Sequence, residues 1–242
     1  MGLFTAGATA GAVAGAELTA GPGIAAESPT ARTARPGGPA AYRATVTFRT
    51  APTARIAALT LDDGPTGRWT PQVLRMLRAH QAKATFFVVG MRAQANPGQV
   101  ARAADAGHEL ANHTWAHSDL TQHDEAFDRA SLERTHALVT RLAGRPPVLC
   151  RPPYGRIDSV GLAVCAGLHY QVMLWSESVT GSNPEVDVDQ TLQRASPGSV
   201  VLAHDGGPQP NADLMRQLDR LLGAMTDGGY RFVTVSELLA PA

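Results

Sequence analysis

Leu59-Thr60-Leu61-Asp62-Asp63-Gly64-Pro65 sets two adjacent carboxylates at the end of an apolar run and stops the run with Gly-Pro. The apolar stretch from Ile56 reads as a short strand, and the proline cannot continue it in the middle of a sheet. Successive side chains of a strand diverge, so one carboxylate can hold a cation while the other faces a substrate. Two such charges repel each other unless a metal or an arginine shares them. Taken alone, Asp-Asp-Gly-Pro reads as a surface turn, and by itself that reading would prevail.

Later segments weigh against the turn. His113-Thr114-Trp115-Ala116-His117 spaces two histidines four residues apart. On one face of a helical turn, that spacing lets both imidazoles reach one metal. A single His-x-x-x-His is a modest signal, because paired histidines also serve as caps or core residues. Arg151-Pro152-Pro153-Tyr154-Gly155 follows the apolar Val148-Leu149-Cys150, and its prolines make a stiff exit carrying Arg151 and Tyr154 out of a sheet. Val200 to Ala203 ends in His204-Asp205-Gly206-Gly207. Four strand ends thus deliver Asp-Asp, His/His, Arg/Tyr and His, and parallel α/β folds gather their sites at such ends.

Working outward, strand and helix patterns alternate from Arg55 to the C-terminus. Thr70-Pro71 reads as an N-cap with proline at the first helical position, followed by the stripe Val73, Leu74, Leu77. Ala84–Val89 is the next strand, and Pro97–Ala106 a helix stopped by Gly107. A long helix spans Asp124–Ala143, with Gly144 as its stop. Ser159–Gly167 and Tyr170–Trp175 repeat helix and strand, and Ser199–Ala203 carries His204. Asn211 caps a helix bearing Leu214, Leu218, Leu221, Leu222 and Met225, and Tyr230–Val235 and Ser236 onward form a last strand and helix. Repeated βα units imply an α/β fold with parallel strands and right-handed crossovers.

From about Ala57 to Leu239 the chain resembles the polysaccharide deacetylases, the NodB-homology carbohydrate esterases of family four. The resemblance rests on Thr60-Leu61-Asp62-Asp63-Gly64, on His113 and His117, on Arg151 to Tyr154 and on Leu202 to His204, in that family's order. Ala84–Gly90 and Gly107–Leu110 resemble supporting segments. One motif departs: Leu174–Asn183 keeps Trp175 but lacks the aspartates and second tryptophan usual there, which puts the tuning of His204 in doubt. Glu177 or Asp205 is the candidate substitute.

The resemblance implies a distorted (β/α) barrel with fewer than eight strands. It implies Asp63, His113 and His117 as ligands of a divalent metal, zinc by donor type, with cobalt or another divalent ion as alternative. It implies Asp62 as general base, Arg151 as its partner, the Tyr154 backbone N–H as oxyanion donor and His204 as general acid. Tyr154, Trp175 and Leu202 are the expected substrate contacts, Leu202 for an acetyl methyl. The expected activity is deacetylation of an N- or O-acetylated glycan such as chitin oligomers, peptidoglycan or acetyl-xylan. Two alternatives stay open: a metal-dependent amidase on a small amide or cyclic imide, and a non-catalytic glycan-binding relative.

Composition bounds the rest. Lys+Arg and Asp+Glu balance at 21 each, so nothing steers the chain toward nucleic acid or an anionic membrane. Aromatic content of 5% argues against a long sugar-stacking groove. Trp69, Trp115, Trp175 and Tyr154 are the rings available for a sugar, Trp115 being equally a packing residue. Residues 1–43 differ in character, rich in Gly, Ala, Pro, Ser and Thr. They resemble part of an export signal or a weakly ordered tail, too interrupted by glycine for a membrane span. A deacetylase domain over 44–242, secreted or in the cell envelope and monomeric, is the expectation. His80, His108, His123, His136 and His169 read as ordinary residues without partners, and Asp105, Glu109 and Asp119 as caps or solvated charges. Cys150 and Cys165 are either bridged, adding about 3 kcal/mol for a loop of that length, or buried thiols.

Overall fold

Both faces of the strand that carries Asp62 are covered, which fixes the architecture. The computed structural model describes residues 43–240. In β2 (Ile56–Asp62), Ala57, Leu59 and Leu61 pack outward into the large core under the helices, while Ala58 joins a second core on the other face. Thr60 and Asp62 share the face of Ala58 by the two-residue repeat of a strand. A strand buried on both faces is the mark of a parallel sheet wrapped by helices.

The elements that follow are α1 (Thr70–Ala79), β3 (Ala84–Val88), α2 (Gly90–Ala95), α3 (Pro97–Asp105), β4 (Glu109–Asn112), α4 (Glu125–Ala143) and β5 (Leu149–Cys150). After them come α5 (Ser159–Gly167), β6 (Gln171–Met173), β7 (Glu177–Ser178), α6 (Pro184–Arg194), β8 (Val200–His204), α7 (Ala212–Asp227), β9 (Arg231–Phe232) and α8 (Val235–Leu239); β1 is the pair Val46–Thr47. The sheet runs β1-β6-β5-β4-β3-β2-β8-β7, with β9 also pairing β2, and every pairing is parallel. This is the distorted (β/α) barrel. Its strand number exceeds the fewer than eight expected, because β1 and β7 are edge pairs of two residues each, too short to leave a periodic pattern in the sequence.

Helices α4 and α7 begin and end close to where their punctuation placed them. Asp124 accepts from the Phe127 N–H and Asn211 from the Leu214 N–H, while Gly144 ends α4 in the left-handed region. Thr70 differs from expectation. Trp69 occupies the cap position without a side-chain bond, and the Thr70 hydroxyl accepts from the Thr66 N–H and donates to Asp205. Helices α2 and α6 were not read from the sequence. The first is a short six-residue helix that begins at Gly90, and the second, opened by Pro184, carries mainly polar residues.

Several expected bystanders have partners. His80 pairs with Asp219 at 2.8 Å, His136 faces the Tyr170 hydroxyl at 2.7 Å, and His123 stacks on Phe127. Glu109 is buried rather than solvated, and accepts from Thr85 and Ser236, tying β3 and β4 to the start of α8. Cys150 and Cys165 are free, buried and in contact; that contact and burial push the Cys150 thiol well up. The tail expected over 1–43 lies outside the described residues except for Arg43. Among the described residues, no helix is long and apolar enough to cross a membrane.

Candidate metal centre and catalytic site

Parallel register gathers the site. Asp62 lies opposite Phe87 of β3 on one side and His204 of β8 on the other. Val88 pairs with Asn112, and Asn112 with Cys150, so Asp62, Asp63, His113, Arg151 and His204 all leave one end of the sheet at about the same level. That end is the carboxyl end of the strands.

Asp63 turns into the left-handed region (φ 70°) and brings its carboxylate back over the sheet. Its Oδ1 is buried and without a hydrogen bond among the described residues, yet it stands 3.0 Å from His117 Nε2 and 3.6 Å from His113 Nε2. One donor atom from each of the three residues lies within 4.8 Å of the others. An unpartnered carboxylate oxygen facing two imidazole nitrogens fits a divalent cation, and the oxygen-plus-two-nitrogen set leaves room for further ligands. Asp63 and His113 are also in protonation states that suit a ligand. Burial pushes the Asp63 carboxyl up, but the contact with His117 and the nearness of His113, His117 and His204 outweigh it and hold it at about 2. Burial holds His113 below the ordinary histidine range, against the pull of Asp62 and Asp63. A neutral ring whose Nδ1 gives its proton to the Arg151 carbonyl, at 2.6 Å, keeps a lone pair on Nε2 for the ion.

The two histidines do not share a helical turn, as their spacing had suggested. They lie in a loop in which Thr114 (φ 64°) and His117 (φ 59°) are left-handed. Asp63 and Tyr154 (φ 61°) are left-handed too, so four of the six such non-glycine residues among the described residues stand at this site. Backbone held in that region costs on the order of 1–3 kcal/mol each, and the surrounding contacts must hold it there.

Asp62 faces the same space from below. Its Oδ1 accepts from Arg151 Nη1 at 2.7 Å, and its Oδ2 lies 3.7 Å from His113 Nε2. Arg151 is fully buried and multiply satisfied: Nε donates to the Met173 carbonyl at 2.8 Å, Nη1 also to Thr60 Oγ1 at 2.8 Å, and Nη2 to the Leu174 carbonyl at 2.9 Å. Its guanidinium carbon sits 4.0 Å from the Phe87 ring centre. Such a cation has no freedom to leave Asp62.

His204 lies beside the cluster, its Nδ1 buried and without a partner among the described residues. Neither candidate substitute reaches it. Asp205 bonds the Thr70 hydroxyl at 2.5 Å, and burial, with the Asp62 and Asp63 charges, pushes it up to about 7 against that bond. The charged neighbours of Glu177 are Arg194 and Arg49. Adjacent residues on an extended chain point apart, which is why Asp205 cannot serve the histidine before it.

The rings divide. Tyr154 is exposed, edge-on to His117 at 4.7 Å between ring centres. Trp175 is half-buried, packed on Gly155. Arg134 covers Trp115 at 3.6 Å and Arg68 covers Trp69 at 4.2 Å. Leu202 is buried two residues before His204. Two supports escaped the sequence reading. Arg92 donates to the Asp63 carbonyl and stands 4.0 Å from its Oδ1. Gly206 and Gly207 lie against Asp63, where added Cβ atoms would come within 2.1 Å of its carbonyl oxygen and 2.4 Å of its Oδ2. The Gly-Gly pair after His204 was the available signal.

Comparison with known proteins agrees with this geometry. Residues 49–173 match the family described as polysaccharide deacetylase. A peptidoglycan-N-acetylglucosamine deacetylase of Bacillus cereus is 37% identical over 200 residues, covering 80% of this chain and 92% of the relative. A chitooligosaccharide deacetylase of Sinorhizobium fredii is 35% identical over 185 residues, 71% of this chain and 86% of that one. A crystal structure of a peptidoglycan N-acetylglucosamine deacetylase matches with a TM-score of 0.74 at 31% identity, over 80% of this chain and 92% of its own.

Proposed function

This chain belongs to the polysaccharide deacetylase family, and we propose that it hydrolyses the acetamide of N-acetylglucosamine units in a cell-wall glycan, working outside the cytoplasm. The orphaned Asp63 Oδ1 between two imidazole nitrogens carries this reading. Asp63, His113 and His117 hold the cation, for which zinc suits the donors best. When bound, the ion supplies Lewis acidity toward the acetamide carbonyl and acidifies water in the site.

The remaining work falls to the protein. With Oδ1 pinned by Arg151, Asp62 takes a proton at Oδ2, the oxygen on the cluster side. Arg151 keeps Asp62 ionised and aimed. The Tyr154 N–H supports the developing oxyanion, and its left-handed backbone sets the direction of that donor. His204 passes a proton to the departing amine nitrogen. Leu202 bounds the acetyl methyl, while Tyr154 and Trp175 flank the sugar. Acetate and a free amino sugar result.

Release of acetate from N-acetylglucosamine oligomers and from peptidoglycan, with and without a chelator, tests the assignment. No release from either polymer with zinc or cobalt added defeats it.

A further inference from the structure

The opposite end of the barrel carries a second concave site. A cavity of about 700 Å³ opens between α1 and α3, beside the residues that enter β3 and β4. Ala82 and Lys83 immediately precede β3 and His108 immediately precedes β4, so it lies at the amino ends of these strands, away from the carboxyl ends where the candidate metal centre sits. Its volume is in the range of small-molecule sites.

The lining is one-sided in charge. Arg75, Arg78, Arg102 and Lys83, the chain's one lysine, stand around it, and no acidic side chain lines it. Lys83 is engaged by the Ala106 carbonyl at 2.6 Å. Arg75, Arg78 and Arg102 are exposed and pair with no carboxylate among the described residues. The ordinary account of Arg78 and Arg102 is compensation of the helix dipoles, since each sits in a last helical turn. That account does not cover Arg75, nor the presence of three arginines around one hollow. The floor is apolar, from Pro71, Leu74, Leu77 and Ala82. Gln99 also lines the cavity, and its Oε1 is buried without a donor among the described residues. Burial and the Lys83 charge hold His108 down at about 4, so it adds no charge near neutrality.

We propose that this cavity binds a phosphorylated polyol or sugar. Guanidinium groups match phosphate oxygens in pairs, a ligand hydroxyl donates to Gln99 Oε1, and the C–H face of the ligand lies on Leu74 and Leu77. The ligand is either a free phosphate ester or a unit of a phosphodiester polymer. In the second case the site tethers the barrel while leaving the metal end open. The inference does not rest on the deacetylase reading.

Calorimetric titration of the full chain with glycerol 3-phosphate, glycerol, and a glycerol phosphate polymer tests it. Either phosphate probe is expected to bind and glycerol is not, with affinity falling as salt rises. Binding of the monomer indicates a free ester, and binding of the polymer alone indicates a polymeric source. The triple variant Arg75→Ala, Arg78→Ala, Arg102→Ala should weaken binding by about tenfold or more while acetate release and circular dichroism stay unchanged. Silence of both phosphate probes, or equal binding by the triple variant, overturns the proposal.

Discussion

Arg151 holds His113 with its backbone and Asp62 with its side chain: the carbonyl accepts from His113 Nδ1 at 2.6 Å, and Nη1 donates to Asp62 Oδ1 at 2.7 Å. One residue therefore sets the orientation of an expected metal ligand and of the expected general base together. The ligand contact is made by the main chain, so it survives a change of side chain, and the two functions can be separated by mutation.

Arg151→Lys keeps a charge but loses the planar fork, so several of its bonds to Met173, Leu174, Thr60 and Asp62 cannot all be remade. We expect kcat to fall by about 100-fold or more with metal content unchanged. Arg151→Met, leaving the Asp62 charge buried and unpaired, should lower stability by about 3–5 kcal/mol. Acetate release, metal analysis and urea unfolding check the three statements.

Asp62→Asn preserves shape and the contact with Arg151 but cannot take a proton. Turnover should fall by about 10²–10⁴-fold while the content of bound divalent metal stays unchanged. Full activity in this variant would mean the base lies elsewhere.

Gly207→Ala places a Cβ against Asp63 Oδ2 at a position with φ +67°. Metal affinity, read by competition with a chromogenic chelator, should weaken by about 10–100-fold. Gly144→Ala, at φ +71° where a Cβ meets nothing within 4 Å, is the matched control and should leave affinity unchanged.

Asp128 gives a pH prediction away from the site. It is buried, both its carboxylate oxygens lack hydrogen bonds among the described residues, and its carboxyl is raised to about 6 from 3.8. Burial is the main cause; Asp158, Asp124 and Asp119 add to it and His123 opposes it. The folded state thus prefers the protonated form. The penalty is absent below the unfolded value, grows as pH rises from about 4 to 6, and is complete above. Asp128→Asn should raise Tm by about 2–4 °C at pH 7.5 and change it little at pH 4. An equal effect at both pH values would show that ionisation of Asp128 is not the cause.

The apolar run into Asp62-Asp63, the βα alternation and the order of the motif residues were legible in the chain, because strand burial and helix punctuation leave local periodic marks. Helix α6 and the two-residue edge strands β1 and β7 left none. The histidine spacing picked out two residues that the fold does bring together beside Asp63, but by another geometry: a helical turn was expected, and left-handed Thr114 and His117 do that work instead. Backbone strain of this kind is held by contacts from distant segments, which no window of sequence contains.

By itself, then, the sequence determined the parallel α/β class and named the carboxylates and imidazoles, since these depend on local pattern and residue chemistry. Only the tertiary structure decided that Asp63 Oδ1 meets both imidazoles, that Gly206 and Gly207 wall it in, and that His204 Nδ1 is left without Asp205 or Glu177. Those outcomes turn on parallel register and on which way a side chain leaves its strand, and both are set by partners far away along the chain.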